Sequence, residues 1–319
     1  MTFLTEKYIN PFTDFGFKKL FGEELNKDLL LDFLNEVLRE KEGEIVDLTY
    51  LKNEHLGKTA IDRKAIFDIY CENERGEKFV VEMQKSKQNY FKDRSVYYAS
   101  FPIQEQAKRS EWNYKLSPVY TIGILDFIFD EDKDDPSKYR YDIQLKDIET
   151  NKVFYDKLTF IYFEMPKFNK SIDELETKFD KWLYVLKNLS KLHRLPEKLQ
   201  ESVFQKVFEV AKIATFTKKE IRSYEDSLKS YRDLKNSLDT AFDEGKIEGK
   251  IEGKEEGLEI GKLLTAVLSI KNGLEDQLIS SISGLEIDKV TLIRKQLELK
   301  YASFSLEELT ALIEQDRFW

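Results

Sequence analysis

Asp68 and Glu82 flank a short polar turn, and their type and spacing could serve metal chemistry. The stretch FDIYCENERGEKFVVEMQ, residues 67–84, sits within two alternating runs, Ile66 to Cys71 and Phe79 to Gln84, separated by Asn73-Glu74-Arg75-Gly76-Glu77. Alternation on both sides of such a turn predicts a β-hairpin. Pivoting on Arg75 pairs Cys71 with Phe79, Ile69 with Val81 and Phe67 with Met83, which makes one apolar face for a core. The other face pairs Tyr70 with Val80, Ile66 with Gln84, and Asp68 with Glu82, the two acids then having Cβ atoms about 5 Å apart. Like charges set opposite one another are destabilising unless something positive lies between them. Two readings fit. One is a divalent cation such as Mg²⁺, which takes carboxylate oxygens at about 2.1 Å and keeps several waters. The other is a solvated polar face, although Ile66, Tyr70 and Val80 make that face half apolar. Register decides, because a one-residue slip separates the acids.

The elements that must position this hairpin follow from periodicity. NPFTDFGFKKLFG leads through Asn26 into an amphipathic run from Asp28 to Arg39, which reads as two helices. A strand is expected near Ile45 to Leu51, then the hairpin, a helix from about Phe91 to Ser110, and the apolar strand VYTIGILDFIF, broken by Asp126. Strands at Tyr139 to Asp147 and Lys157 to Phe163 follow, joined through Glu149-Thr150-Asn151. Strands on both sides of a helix in sequence indicate an α/β domain, expected over residues 1–166. After Phe168 the period is helical: Leu175 to Leu192, Pro196 to Ala214 and Lys218 to Phe242, giving a helical region over 167–242.

Between Glu244 and Gly261 glycine recurs every fourth residue, as do Glu244, Glu248, Glu252 and Glu256, and Lys246, Lys250 and Lys254. Each glycine costs an isolated helix about 1 kcal/mol relative to alanine, and like charges at i and i+4 add a few tenths. Pairing of two copies along the glycine stripe would offset that cost; a tandem repeat that the fold tolerates explains it equally. The segment 243–262 is thus expected as a distinct helix, followed by a C-terminal helical segment over 263–319.

At 319 residues, with 41% hydrophobic and 35% charged residues, the chain has enough apolar content to fold and a highly charged surface. A lone cysteine, Cys71, excludes an internal disulfide and a multi-cysteine zinc site, and reads as a small core hydrophobe. His55 and His193 lack metal-ligand neighbours at helical spacing and read as structural. Without a basic and apolar leader or a membrane-length apolar run, a cytoplasmic protein that does not enter membranes is expected. The formal charge of −9 opposes attraction of nucleic acid to the whole surface. A local strip runs the other way: between Gln84 and Lys115 there are Lys85, Lys87, Lys92, Arg94, Lys108, Arg109 and Lys115 against Asp93, Glu105 and Glu111, with Tyr90, Phe91, Tyr97 and Tyr98 among them. A solvated helix face accounts for it as well as a phosphate-binding strip does.

NPFTDFGFKKLFG, FVVEMQ, YFKDRSVYYASFPIQEQ and YTIGILDFIF together resemble the Rpn family, recombination-promoting nucleases often labelled transposases, of the PD-(D/E)xK superfamily. The resemblance covers about residues 8 to 165. It implies a restriction-endonuclease-like mixed sheet flanked by helices, here followed by an all-α C-terminal region with a long helix. By position Asp68 and Glu82 would hold Mg²⁺, with Mn²⁺ as a substitute and the Met83 carbonyl as a third ligand. Gln84 stands where the superfamily usually has lysine, and an amide supplies neither charge nor a base. Lys85 or Lys64 would be the sources of that charge, and Phe67 replaces the motif proline. Asp14 is either an additional acid near the metal or a helix N-cap. Arg94 and Tyr98 match the family's arginine and tyrosine, or pack the helix.

These implications give a metal-dependent DNA endonuclease with Asp68, Glu82 and Gln84 as its catalytic group and Lys85, Lys87, Arg94 and Tyr98 on DNA. C-terminal helices would pair two copies and so place two sites for cuts on opposite strands. Two other readings stay open: a DNA-binding protein too weak to cut, and a helical scaffold carrying a relic nuclease domain.

Overall fold

A computed structural model describes residues 6–39, 43–52, 54–55, 65–107, 113–315 and 318. Thr13 starts helix α1 (Asp14–Phe21): its Oγ1 accepts from the Gly16 N–H, satisfying one of the donors that a helix start leaves unpaired. Helix α2 (Lys27–Leu38) follows through a short 3₁₀ turn. Then come β1 (Leu48–Tyr50), β2 (Glu54–His55), β3 (Ala65–Ile66), β4 (Ile69–Asn73) and β5 (Lys78–Gln84). Helix α3 (Phe91–Glu105) crosses to β6 (Val119–Leu125), and β7 (Arg140–Lys146) and β8 (Val153–Glu164) complete the strands.

Six strands form one mixed sheet in the order β1-β4-β5-β6-β8-β7, with β5/β6 and β6/β8 parallel and the other neighbours antiparallel. Alternation sends Phe79, Val81 and Met83 to one face, where they join Ile69, Cys71, Ile122 and Ile161 under helices α1 and α2. On the opposite face Val80 and the neighbouring Leu125, Phe160 and Tyr162 lie on the side of α3. The first face is also covered by α4 (Lys178–Asn188) and α5 (Ser202–Val210), whose Trp182 and Phe204 pack with Phe21 and Phe33 in the same core. The chain divides into two compact units, 1–235 and 236–319, so the break in strand periodicity near Pro166 lies inside the first unit.

The hairpin keeps the expected register from Ile69/Val81 through Cys71/Phe79, and Gly76 adopts a φ of +75° in its turn. Below Ile69 the expectation fails. Asp68 forms a bend, so neither Asp68/Glu82 nor Phe67/Met83 is a ladder pair. Ile66 pairs with Glu54 in the separate β2–β3 ladder instead of with Gln84, and His55 pairs with Ala65 in the same ladder. The bend breaks the two-residue period, and Phe67 ends in the α3-side cluster with Tyr70 and Val80.

Helix α6 (Lys218–Lys271) is one element of 54 residues, continuous through the expected boundaries at 242 and 262. Its first part belongs to the first unit, where Tyr224 and Leu228 are buried. In the second unit, the rest of α6 with α7 (Asp276–Ser283), α8 (Ile287–Lys300) and α9 (Leu306–Glu314) encloses a core of Val267, Ile279, Val290, Ile293, Leu309 and Phe318. The repeat glycines are exposed, and a Cβ at any of the five would meet nothing within 4 Å. Among the described residues no helix is long and apolar enough to cross a membrane.

Candidate active site

Glu82 lies on the α3-side face of β5, in register with Gly123 of β6, which is in turn in register with Tyr162 of β8. The glycine is a steric requirement: a Cβ at 123 would approach Tyr162 Cδ1 to 2.8 Å. Tyr162 therefore lies across the gap toward Glu82, its phenol pushed up to about 12 by burial and, more weakly, by the Glu82 charge, against a hydrogen bond with Ser95 of α3. The Glu82 carboxyl is pushed up to about 7, first by burial, then by the charge of Asp68, with Arg94 opposing. Its buried Oε1 has no hydrogen-bond partner among the described residues.

Asp68 is held at its bend by the Met83 N–H, which donates to Oδ2 at 2.9 Å. Burial raises its carboxyl above the usual range; the Met83 N–H lowers it, Asp14 raises it, and Lys18 and Lys85 lower it. Asp14 is not the cap of α1, since Thr13 is; it sits in the first turn, 3.0 Å from Lys18 Nζ. A cleft of about 180 Å³ brings Asp14 and Asp68 together with Met83, Gln84, Lys85 and Leu234 of α6. Asp68 also borders a larger cleft of about 760 Å³ with Lys18, Lys19, Tyr50 and Lys52.

Gln84 is fixed at both ends of its amide: Nε2 donates to the Ser86 carbonyl at 3.0 Å, and Oε1 accepts from Arg94. Arg94 also donates to Gln88, and its guanidinium lies 5.7 Å from the ring centroids of both Phe91 and Tyr98.

A family model for a PD-(D/E)XK nuclease family transposase matches residues 11–241. The chain belongs to this family. No curated protein and no solved structure matches it.

Within this nuclease family frame, the donor set suits a hard divalent ion. The Asp68 charge adds to the cost of ionising Glu82, and among the described residues the buried Glu82 Oε1 lacks a partner, which a cation would supply. The fit rests on the two carboxylates: among the described residues no three His, Cys, Asp or Glu side chains converge as a metal cluster, and Asp14 reaches Asp68 electrostatically without closing such a triad.

The remaining expected residues divide by position. Lys85 lines the smaller cleft, and Arg94, rather than a lysine in the motif, is the cation that touches Gln84. Lys87 is ion-paired with Asp130, away from that cleft. Tyr98 packs edge-on to Phe67 at 5.5 Å under Arg94. Lys64, Lys108 and Arg109 lie outside the described residues. Sequence reasoning passed over Asp126, whose N–H donates to the Gln84 carbonyl at 2.9 Å while its Oδ2 accepts from Tyr231 and Lys235 of α6, each at 2.9 Å. Its signal was an acid interrupting an apolar run at the carboxyl end of a parallel strand, where α/β sheets gather functional groups.

Proposed function

We propose that the protein is a Mg²⁺-dependent DNA endonuclease, served also by Mn²⁺, that hydrolyses phosphodiester bonds with little regard to sequence. The observation that carries this reading is the unpartnered, buried Oε1 of Glu82 beside Asp68, in a chain of a nuclease family. Asp68, Glu82 and the Met83 carbonyl would hold the ion, with Asp14 as an outer acid. When bound, a divalent ion lowers the pKa of water and neutralises charge on the phosphodiester. Gln84 has no proton to exchange at neutral pH, so its part is to orient water or a phosphate oxygen, with its amide aimed by Arg94 and Ser86. Lys85, Arg94 and Tyr98 make the strip for the DNA backbone, Lys87 being held by Asp130, and phosphate contacts of this kind make binding fall steeply with salt.

Strand cutting of this type would promote recombination in the cytoplasm, and pairing of copies through the exposed glycine face of α6 would bring two sites to one duplex. Sedimentation of the full chain tests the pairing. Plasmid nicking with Mg²⁺, with EDTA, and with Asp68→Ala tests the nuclease: cutting that needs Mg²⁺ and disappears in the variant supports it, and cutting by the variant at the parental rate removes it. One observation favours DNA binding without cutting, namely that position 84 carries an amide already engaged by Arg94. Under the nuclease reading, Gln84→Lys should cut about tenfold more slowly, a 1.4 kcal/mol effect, because its ammonium faces the Arg94 guanidinium. Gln84→Lys combined with Arg94→Gln should recover most of the nicking rate.

A further inference from the structure

Beyond the strip, the segment that joins β5 to α3 carries a feature that neither backbone binding nor metal holding uses. Tyr90 has a φ of +63°, in the left-handed region that a bulky side chain rarely adopts, and is 81% exposed. It stands on the rim of a cleft of about 300 Å³ that includes Phe91, Phe127, Phe129, Gln88 and Asn89. Phe91, Phe127 and Phe129 pack edge to face or tilted on one another, with Lys92 over Phe129 and Arg94 over Phe91. Among the described residues Tyr90 is the ring of this cleft with neither a ring nor a cation against it.

The charges here do not suit a phosphate. Lys87 is paired with Asp130 and Lys92 with Glu131 at 2.9 Å, and Asp93 adds a third acid to the lining. What fits is the neutral, flat part of a nucleotide: an aromatic face for stacking, and the amides of Gln88 and Asn89 for base edges. The cleft is tied to the candidate active site through Arg94, which donates both to Gln88 and to Gln84.

We propose that this cleft is a nucleobase subsite in which Tyr90 stacks on an unpaired or extruded base, so that the substrate class is DNA with unpaired bases beside the cut. The inference rests on the nuclease reading and sharpens its substrate. A base inside an intact duplex cannot reach such a ring without leaving the stack, and unpaired bases reach it at least cost.

The test is fluorescence anisotropy of the full chain in EDTA, with labelled oligothymidylate, the same strand carrying abasic sites, and a blunt duplex. The variants are Tyr90→Phe, which keeps the ring, and Tyr90→Asn, which removes it while tolerating the left-handed backbone. Tyr90→Asn should bind oligothymidylate about tenfold more weakly, with duplex affinity and the salt slope unchanged because no charge is lost. Tyr90→Phe should bind like the parent, and Tyr90→Asn should melt no lower than the parent, which separates lost stacking from lost folding. Parental affinity in Tyr90→Asn, an equal loss in Tyr90→Phe, or no preference of the parent for thymine over abasic strands overturns the subsite. If the parent still nicks plasmid with Mg²⁺ in that case, the nuclease reading stands alone; if the parent neither binds nor nicks DNA, both fall.

Discussion

Glu82→Gln should lower metal-dependent cleavage on the order of 10³-fold and, without metal above pH 7, leave the chain more stable than the parent. The substitution keeps the shape and removes the charge. In the parent the carboxyl is pushed from 4.5 up to about 7 by burial and by Asp68, against Arg94. Between those two pH values the folded chain binds the proton more readily than the unfolded chain does. Stability without metal therefore falls as pH rises through this window, by about 3 kcal/mol from this group, and levels off above about 7. Asp68, also raised by burial, acts in the same direction. On the proposed function, Mg²⁺ would bind the deprotonated folded form and oppose the loss, so it should raise the melting temperature more above pH 7 than below it. Cleavage should climb with pH and flatten above about 7. Melting curves and nicking rates across pH, with and without Mg²⁺, check both halves; a Glu82→Gln protein that keeps the parental pH profile excludes Glu82 from the centre.

Lys167→Met should destabilise the chain by about 3–5 kcal/mol, measured as the shift in a urea transition, since it leaves a buried carboxylate without the adjacent ammonium. Lys167 and Glu164 are 3% and 0% exposed and form a 2.8 Å ion pair. Glu164 also accepts from the Phe129 N–H and, at 3.1 Å, from the Tyr141 hydroxyl. The pair thus fastens the segment that carries Phe129 to the end of β8. Glu164→Gln together with Lys167→Met removes both charges and should recover most of the loss. A double variant as unstable as Lys167→Met alone would mean that packing of the lysine stem, and not the charge, sets the cost.

The upper hairpin was legible because a polar turn and strict alternation leave one register with an apolar face. Its lower end was not, because nothing in FDIY marks the bend at Asp68 that moves Phe67 to the other face. The charge of Asp68 still acts on Glu82, although no ladder pairs them. In NPFTDFG both Thr13 and Asp14 are capping residue types, and only the hydrogen bond to Gly16 separates them. Asp126 and Tyr231 are 105 residues apart, a contact beyond any local pattern. Helices α4, α5 and the start of α6 share the core of the sheet, which their own periodicity does not express.

Cys71, the single cysteine of the chain, is closed inside β4 between β1 and β5, and burial pushes its thiol up to about 12. Thiolate, the form that reacts, is therefore scarce and shielded while the sheet stays intact. An alkylating reagent then labels the chain only as fast as those strands part, so one mass-spectrometric peak follows the opening of the sheet without any engineered probe.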